Sequence, residues 1–342
     1  MYSEGLEEID YAHTLHMALS QLDGNPYPME ADDSMFEEDV QYPKPTELTA
    51  LAEMDDSDGP PPTTSEIIKE ITANLDNYPK TLQILMQRGF LKRKQQCKKC
   101  DRNMHLRRRK TCYEWRCRTK DKRGDCSSCS IKTGSWFENT KLSFKIIFNF
   151  LAMHCKNYPT SMMANVLKQS THSISEARRL IYELTDGIVR KYGTIGTTKT
   201  DVYVEVISLP SKKSGEPSFK VLAGQEIGTS RCFAHVLTDW SPRALAKMKA
   251  EKIGGAARIT MVQTLNEDNI VIGSSDALFF DEANCFRMES ERFFTNIRQY
   301  NPDSTHNTVE TLQSWLNDLV IRKTEGSRMV EKCVEEMKKF LK

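Results

Sequence analysis

Six of the chain's ten cysteines lie between Cys97 and Cys129. The other four, Cys155, Cys232, Cys285 and Cys333, are scattered. A secreted disulfide framework would spread its cysteines more evenly, so a local cluster reads as a metal site. This constrains the fold, because a small cysteine-rich segment closes around an ion when four thiolates meet it. Such a closed structural zinc site contributes about 10–16 kcal/mol of binding free energy.

Cys97-Lys98-Lys99-Cys100 is a knuckle in which two thiolates approach one ion from a tight turn. The second pair comes from Cys112, Cys117, Cys126 and Cys129. Spacing alone leaves Cys126 with Cys129, or Cys117 with Cys126. Around the knuckles lie Arg107-Arg108-Arg109-Lys110 and the aromatics Tyr113, Trp115, Trp136 and Phe137. A rigid ribbon can hold such charges against a phosphate backbone. A solvated hairpin tip or an import signal would show the same run.

Charge is segregated along the chain. Residues 1–60 carry sixteen acidic side chains and one basic one, Lys44, for a local charge of −15. Residues 88–145 carry nineteen Lys or Arg against five Asp or Glu, for +14. The net charge of +1 conceals this. The pattern is that of an acidic tail beside a polyanion-binding module. The most apolar stretch, Phe144 to Cys155, contains Lys145, Asn149 and His154 and falls short of the roughly 18 residues of a membrane span. Glu4, Glu7, Glu8 and Asp10 stand where a signal peptide would be basic. A soluble intracellular protein, with no membrane partner, is expected.

The organisation expected is α+β and multidomain. Residues 1–63 read as a disordered acidic region whose Met35, Phe36 and Val40 suit partner-binding motifs. Residues 64–90 read as a short helical segment, and 91–140 as a zinc ribbon. Residues 141–193 form a helical region, with Phe144, Ile147, Phe148 and Leu151 at i, i+3, i+4, i+7. After Gly193 the period changes to two. Val202–Ile207, Phe219–Gln225 and Arg231–Leu237 are strands, with Gly228-Thr229-Ser230 as a hairpin turn. Ser241-Pro242 caps a helix to Lys252, Ile270–Ile272 is a fourth strand, and Thr308–Arg322 and Ser327–Leu341 are closing helices. Three strands, a helix, a strand and helices describe a mixed sheet over 194–324, with a C-terminal helix in 325–342.

Tyr113-Glu114-Trp115-Arg116-Cys117, then Cys126, then Ser130-Ile131-Lys132-Thr133-Gly134-Ser135-Trp136-Phe137-Glu138, followed by Lys141-Leu142-Ser143 and a helix, resembles Merlin-type transposases. These are eukaryotic relatives of a bacterial insertion-sequence transposase family. The resemblance covers about residues 90–322 and resumes at Val221–Glu226 and Gly228–Phe233. It implies the order zinc ribbon, helix-turn-helix, RNase H-like DDE domain. It also implies Cys97, Cys100, Cys117 and Cys126 as zinc ligands, with Cys129 as the alternative fourth. The turn of the helix-turn-helix would be Lys168 to His172 and the reading helix Ser173 to Tyr182, with Arg178 and Arg179 meeting nucleic acid.

Such transposases hold two divalent ions about 3.5–4 Å apart with three carboxylates. The first carboxylate position matches Ile207 in Val204-Glu205-Val206-Ile207. Glu205 lies roughly 6.5–7 Å away along the strand, farther than the metals are apart. The second matches Ser275, with Asp276 one residue late and so facing the other way on a regular strand. The third, Glu310, is retained. The degenerate remnants Glu205, Asp276 and Glu310 imply no enzyme activity. The expectation is therefore a domesticated nuclear factor that binds double-stranded DNA or chromatin and takes protein partners through its acidic N-terminus. The oligomeric state is left open. The alternatives are an active DDE nuclease and a protein scaffold without DNA.

Overall fold

The computed structural model describes residues 61–109, 112–118, 120–121, 124–209, 219–239, 241–255, 257–262, 292–300 and 308–341. The acidic segment 1–60, Lys110, the strand expected at 270–272, Ser275 and Asp276 lie outside these residues.

Two short helices open the described chain, α1 (Thr64–Ala73) and α2 (Tyr78–Gln87). Thr63 and Glu66 form a reciprocal capping box on α1, so orphan N–H groups at its first turn are satisfied. Asn77 caps α2 and Pro79 sits in its first turn, where a missing N–H costs nothing. The ribbon follows. β1 (His105–Arg108), β2 (Tyr113–Arg116) and β5 (Ser128–Ser130) form an antiparallel sheet in the order β1-β2-β5. A small hairpin, β3 (Lys120–Asp121) with β4 (Gly124–Asp125), projects between β2 and β5.

Three helices come next: α3 (Phe144–Cys155), α4 (Thr160–Leu167) and α5 (Thr171–Val189). Ser143 caps α3 through the Ile146 N–H. Lys168 takes a left-handed conformation at φ 51°, which ends α4, and Ser170 caps α5 by accepting from Ser173 N–H. The turn is therefore Lys168–Ser170, and the second helix begins two residues earlier than the sequence reading placed it. The ribbon and these helices share one hydrophobic core. It contains Leu85 and Phe90 from the opening segment, Trp115 and Phe137 from the ribbon region, and Phe148 and Ile181 from the helices.

β6 (Asp201–Leu209), β7 (Phe219–Glu226) and β8 (Cys232–Leu237) form an antiparallel meander. Helix α6 (Pro242–Lys252) then leads to β9 (Arg258–Val262), which pairs in parallel with β6. A helix is needed there because parallel strands require a long crossover. The sheet order is β8-β7-β6-β9. The mixed sheet and the three antiparallel strands follow the sequence reading. β9 was not anticipated, although Arg258-Ile259-Thr260-Met261 alternates polar and apolar residues, because the fourth strand was placed at the more apolar 270–272. Gly224 faces Phe233 across the β7–β8 pair, and a Cβ there would overlap the Phe233 ring. The glycine thus makes room for an aromatic on the sheet.

The two sheet faces differ. Val202 and Val204 pack with Leu222, Phe233 and Ile253 on one side. Ile207 and Leu209 pack on the other against Phe293, Phe294 and Ile297 of the helical segment 292–298 and Leu312 and Leu316 of α7 (Val309–Glu325). The chain closes with a short 3₁₀ turn, Gly326–Arg328, and α8 (Met329–Lys338). Helix α8 returns to the first core through Met329, Cys333 and Val334.

A buried polar network joins α3 to α7. His154 Nε2 lies 2.9 Å from Asp318 Oδ1. Arg322 Nε donates to Asp318 Oδ2 at 2.8 Å, and its Nη1 donates to the carbonyls of His154 and Cys155 at the end of α3. Burial alone would push the Asp318 carboxyl up, but the hydrogen bond from His154 and the Arg322 guanidinium beside it hold it below the usual carboxylate range. Burial pulls the His154 imidazole down, so it stays neutral and donates to Asp318. With His154 neutral, Arg322 is the charge that balances Asp318. Both shifts act in the same direction on folding, since the unfolded chain binds more protons in acid. The His154 contribution is complete above the unfolded value of about 6.5 and declines below it. That of Asp318 is lost between about 3.9 and its folded value. We expect the urea midpoint to fall from pH 7 to pH 5. His154→Gln should reduce that slope by up to about 1.4 kcal/mol per pH unit. The remaining slope includes His235, which burial also pulls down.

Candidate metal centre

Two structural elements converge on four sulfurs. In the first knuckle, Cys97 N–H donates to the Arg102 carbonyl at 2.9 Å and Asp101 N–H to the Cys97 carbonyl at 2.8 Å. Asp101 takes the left-handed conformation at φ 56° that lets the chain reverse. The bridge between Gln96 and Asn103 closes the turn. In the second, Cys117 follows β2 and Cys126 precedes β5, with the β3–β4 hairpin between them. Cys117 N–H donates to the Ser127 carbonyl at 2.9 Å, which keeps the two cysteines side by side.

The Sγ atoms of Cys97, Cys100, Cys117 and Cys126 all lie within 4.8 Å of one another. Cys97 and Cys126 are 3.5 Å apart, and Cys100 and Cys117 3.6 Å. A tetrahedral zinc with bonds of about 2.3 Å separates its sulfurs by about 3.8 Å, so the cluster has the size of such a site. Cys97, Cys117 and Cys126 are buried and Cys100 is partly so. Cys129 lies opposite Trp115 in the β2–β5 pair and is not a member of the group. Cys112 is exposed. The open choice of second pair thus resolves, in this geometry, to Cys117 with Cys126.

The electrostatics fit a cation. The Ser127 hydroxyl, 2.9 Å from Cys97 Sγ, and the N–H groups of Lys99 and Cys100 pull the Cys97 thiol down to about 6. Burial and the neighbouring sulfurs push Cys126 up to about 12. Four sulfurs this close cannot all ionise against one another. A divalent ion removes that conflict, and the donor set, four cysteines with no open position, suits a closed structural site holding a metal such as zinc. Ser127 was not singled out from the sequence, where adjacency to Cys126 was its sole signal.

The basic hairpin projects from the same sheet. Arg107, Arg108 and Arg109 are exposed, as are Lys94, Lys98, Lys99 and Arg102 around the first knuckle. Arg109 pairs with Glu114 at 2.8 Å, so part of its charge is balanced internally. The aromatics Tyr113, Trp115, Trp136 and Phe137 are all buried. They pack the core and present no face to a base. The Ile131–Glu138 stretch is likewise structural. Lys132 Nζ donates to the carbonyls of Thr140 and Leu142 and lies 5.2 Å from the centre of the Phe144 ring. Burial pulls its ammonium down to about 8. Ser135 Oγ donates to the Lys132 carbonyl, and Glu138 accepts from Gly134 N–H. These bonds fix the turn between β5 and α3.

On α5, Arg179 is exposed together with Thr171, His172, Ser175 and Glu176. Arg178 is half-buried and donates to Thr160 Oγ1 at 2.6 Å, tying α5 to the start of α4. The structure therefore separates the two arginines, one serving the helix pair and one facing solvent.

The sheet positions compared with catalytic carboxylates are also separated in character. Ile207 is 3 % exposed, inside the apolar layer between the sheet and α7. Glu205, 1 % exposed on the same strand face, forms an ion pair with Arg298 of the segment 292–298. Nothing in the sequence marked Arg298 as its partner. Glu310 is exposed in the first turn of α7. Its own N–H and the Thr308 hydroxyl donate to its carboxylate and hold its pKa down, as for a helix-capping acid. Among the described residues, the cluster able to hold a metal is the four-cysteine group. No described helix is long and apolar enough to cross a membrane.

Metal analysis of purified protein should find about one zinc per chain, as one closed four-ligand site requires. Cys97→Ala and Cys126→Ser should lose it. Cys129→Ser should keep it, which separates the two second pairs left open by spacing.

No protein-family model, curated protein or solved structure matches the chain.

Proposed function

We propose that this chain is a transposase-derived, catalytically silent factor that binds double-stranded DNA in the nucleus. The observation that carries the reading is a rigid basic hairpin. Exposed Arg107 and Arg108 stand on β1, one strand from the sulfur cluster, in a ribbon whose core continues into α4 and α5. A surface fixed in this way can neutralise phosphates without ordering long loops, while exposed Arg179 and its neighbours on α5 offer groups short or charged enough to meet a groove. The acidic N-terminus would recruit protein partners in chromatin or transcriptional regulation.

Support for an RNase H-like domain comes from three antiparallel strands, a crossover helix and a fourth strand parallel to the first. Support for silence comes from Ile207 and Glu205. An apolar side chain fills the first carboxylate position, and the neighbouring acid is held by a guanidinium. A metal ion would have to displace Arg298 to use Glu205.

The test is a fluorescence anisotropy titration on duplex DNA at several salt concentrations. Binding should weaken by roughly 0.9 log unit per log unit of salt for each phosphate contacted. Arg107→Ala with Arg108→Ala should flatten that slope for every sequence alike, and Arg179→Ala should change preference between sequences. Supercoiled plasmid with Mg²⁺ or Mn²⁺ should stay uncut. Nicking that disappears in Glu310→Ala would favour the active-nuclease reading, and no duplex binding at low salt would favour the scaffold.

A further inference from the structure

We propose that the acidic segment 1–60 docks on the basic face of the ribbon of its own chain and competes there with polyanions. The proposal rests on the DNA-binding reading for its consequence, but not for the contact itself. The receiving surface is exposed and predominantly basic: Lys94, Lys98, Lys99 and Arg102 surround the single exposed acid of the first knuckle, Asp101, and Arg107 and Arg108 stand on β1. The aromatic side chains that would make a base-stacking platform are buried instead, so what the ribbon offers outward is charge.

The occupant is chosen by complementarity and by tethering. The segment 1–60 has a charge of −15 and the segment 88–145 of +14, so the two nearly cancel. Within the tail, Glu30, Asp32, Asp33, Glu37, Glu38 and Asp39 stand within ten residues that contain no Lys or Arg. Asp39 is joined to α1 by the residues up to Thr63, a stretch that extended chain dimensions allow to span about 80 Å. Helix α1 belongs to the same core as the ribbon, so the tail is tethered to the unit that carries its target. A tether of this kind gives effective concentrations of the order of millimolar. An acidic peptide supplied by another protein would have to reach that concentration to compete. Because the receiving side chains face water, the contact must be screened by salt.

The test uses the full chain without DNA. A zero-length carbodiimide joins a carboxylate to a lysine only where the two touch. Mass spectrometry should find links from the 30–39 acids to Lys98 or Lys99 at low salt, and these should vanish at about 500 mM salt. A mixture of isotopically heavy and light protein should give links within one chain. Their absence at low salt, or links chiefly between heavy and light chains, would overturn the proposal. In a second arm, the full-length variant with Glu30, Glu37 and Glu38 changed to Gln and Asp32, Asp33 and Asp39 changed to Asn is titrated with a mixed-sequence duplex. Its affinity should exceed that of the natural chain about ten-fold at about 50 mM salt, and the gap should close as salt rises. Equal affinities at low salt would contradict the competition. If the links form and no variant binds duplex, the docking holds and the DNA-binding reading fails.

Discussion

The contact among four sulfurs is the constraint from which the first half of this molecule is built. Cys97 and Cys100 come from a turn, and Cys117 and Cys126 from the ends of two sheet strands. The strands involved are only three or four residues long, too short to stand alone in water. With the cluster closed, Trp115 and Phe137 are aligned with Phe144 and Phe148, and the ribbon becomes one wall of the helical core. Without it, the same segment holds many like charges and few apolar side chains of its own.

The second half is held by different physics. Its mixed sheet buries both faces, and the layer facing α7 is closed by aromatic and aliphatic side chains around Ile207. The Asp318 network then ties α7 to α3, and α8 returns to the core that the ribbon shares. The regions separable in sequence by composition are thus joined by packing. Functional groups follow the same division: charge outward on the ribbon, apolar and paired groups inward at the sheet.

Much of this was legible in the sequence. The Ser241-Pro242 pair marked α6, alternation marked β6 to β8, and the Gly228 turn marked the hairpin. The metal cluster was legible as a class, but spacing could not choose between Cys117 and Cys129. That choice depends on which residues the β2–β5 register brings to the end of the sheet. Long-range pairs were illegible for the same reason. Glu205 with Arg298 and Asp318 with His154 are separated by 93 and 164 residues, and no local pattern encodes them. The arginine run suggested phosphate contact, and the four aromatic rings beside it are buried in the core. Arg178 and Arg179 read alike, yet helical geometry turns one toward α4 and leaves the other in water.

The central claim is that one ion joins Cys97, Cys100, Cys117 and Cys126 and so positions the basic hairpin. X-ray absorption at the zinc edge tests it most directly. The account predicts a first shell of four sulfurs at about 2.3 Å and no nitrogen or oxygen ligand. A first shell containing a nitrogen or oxygen donor, or the same four-sulfur spectrum in a Cys117→Ser variant, would contradict it.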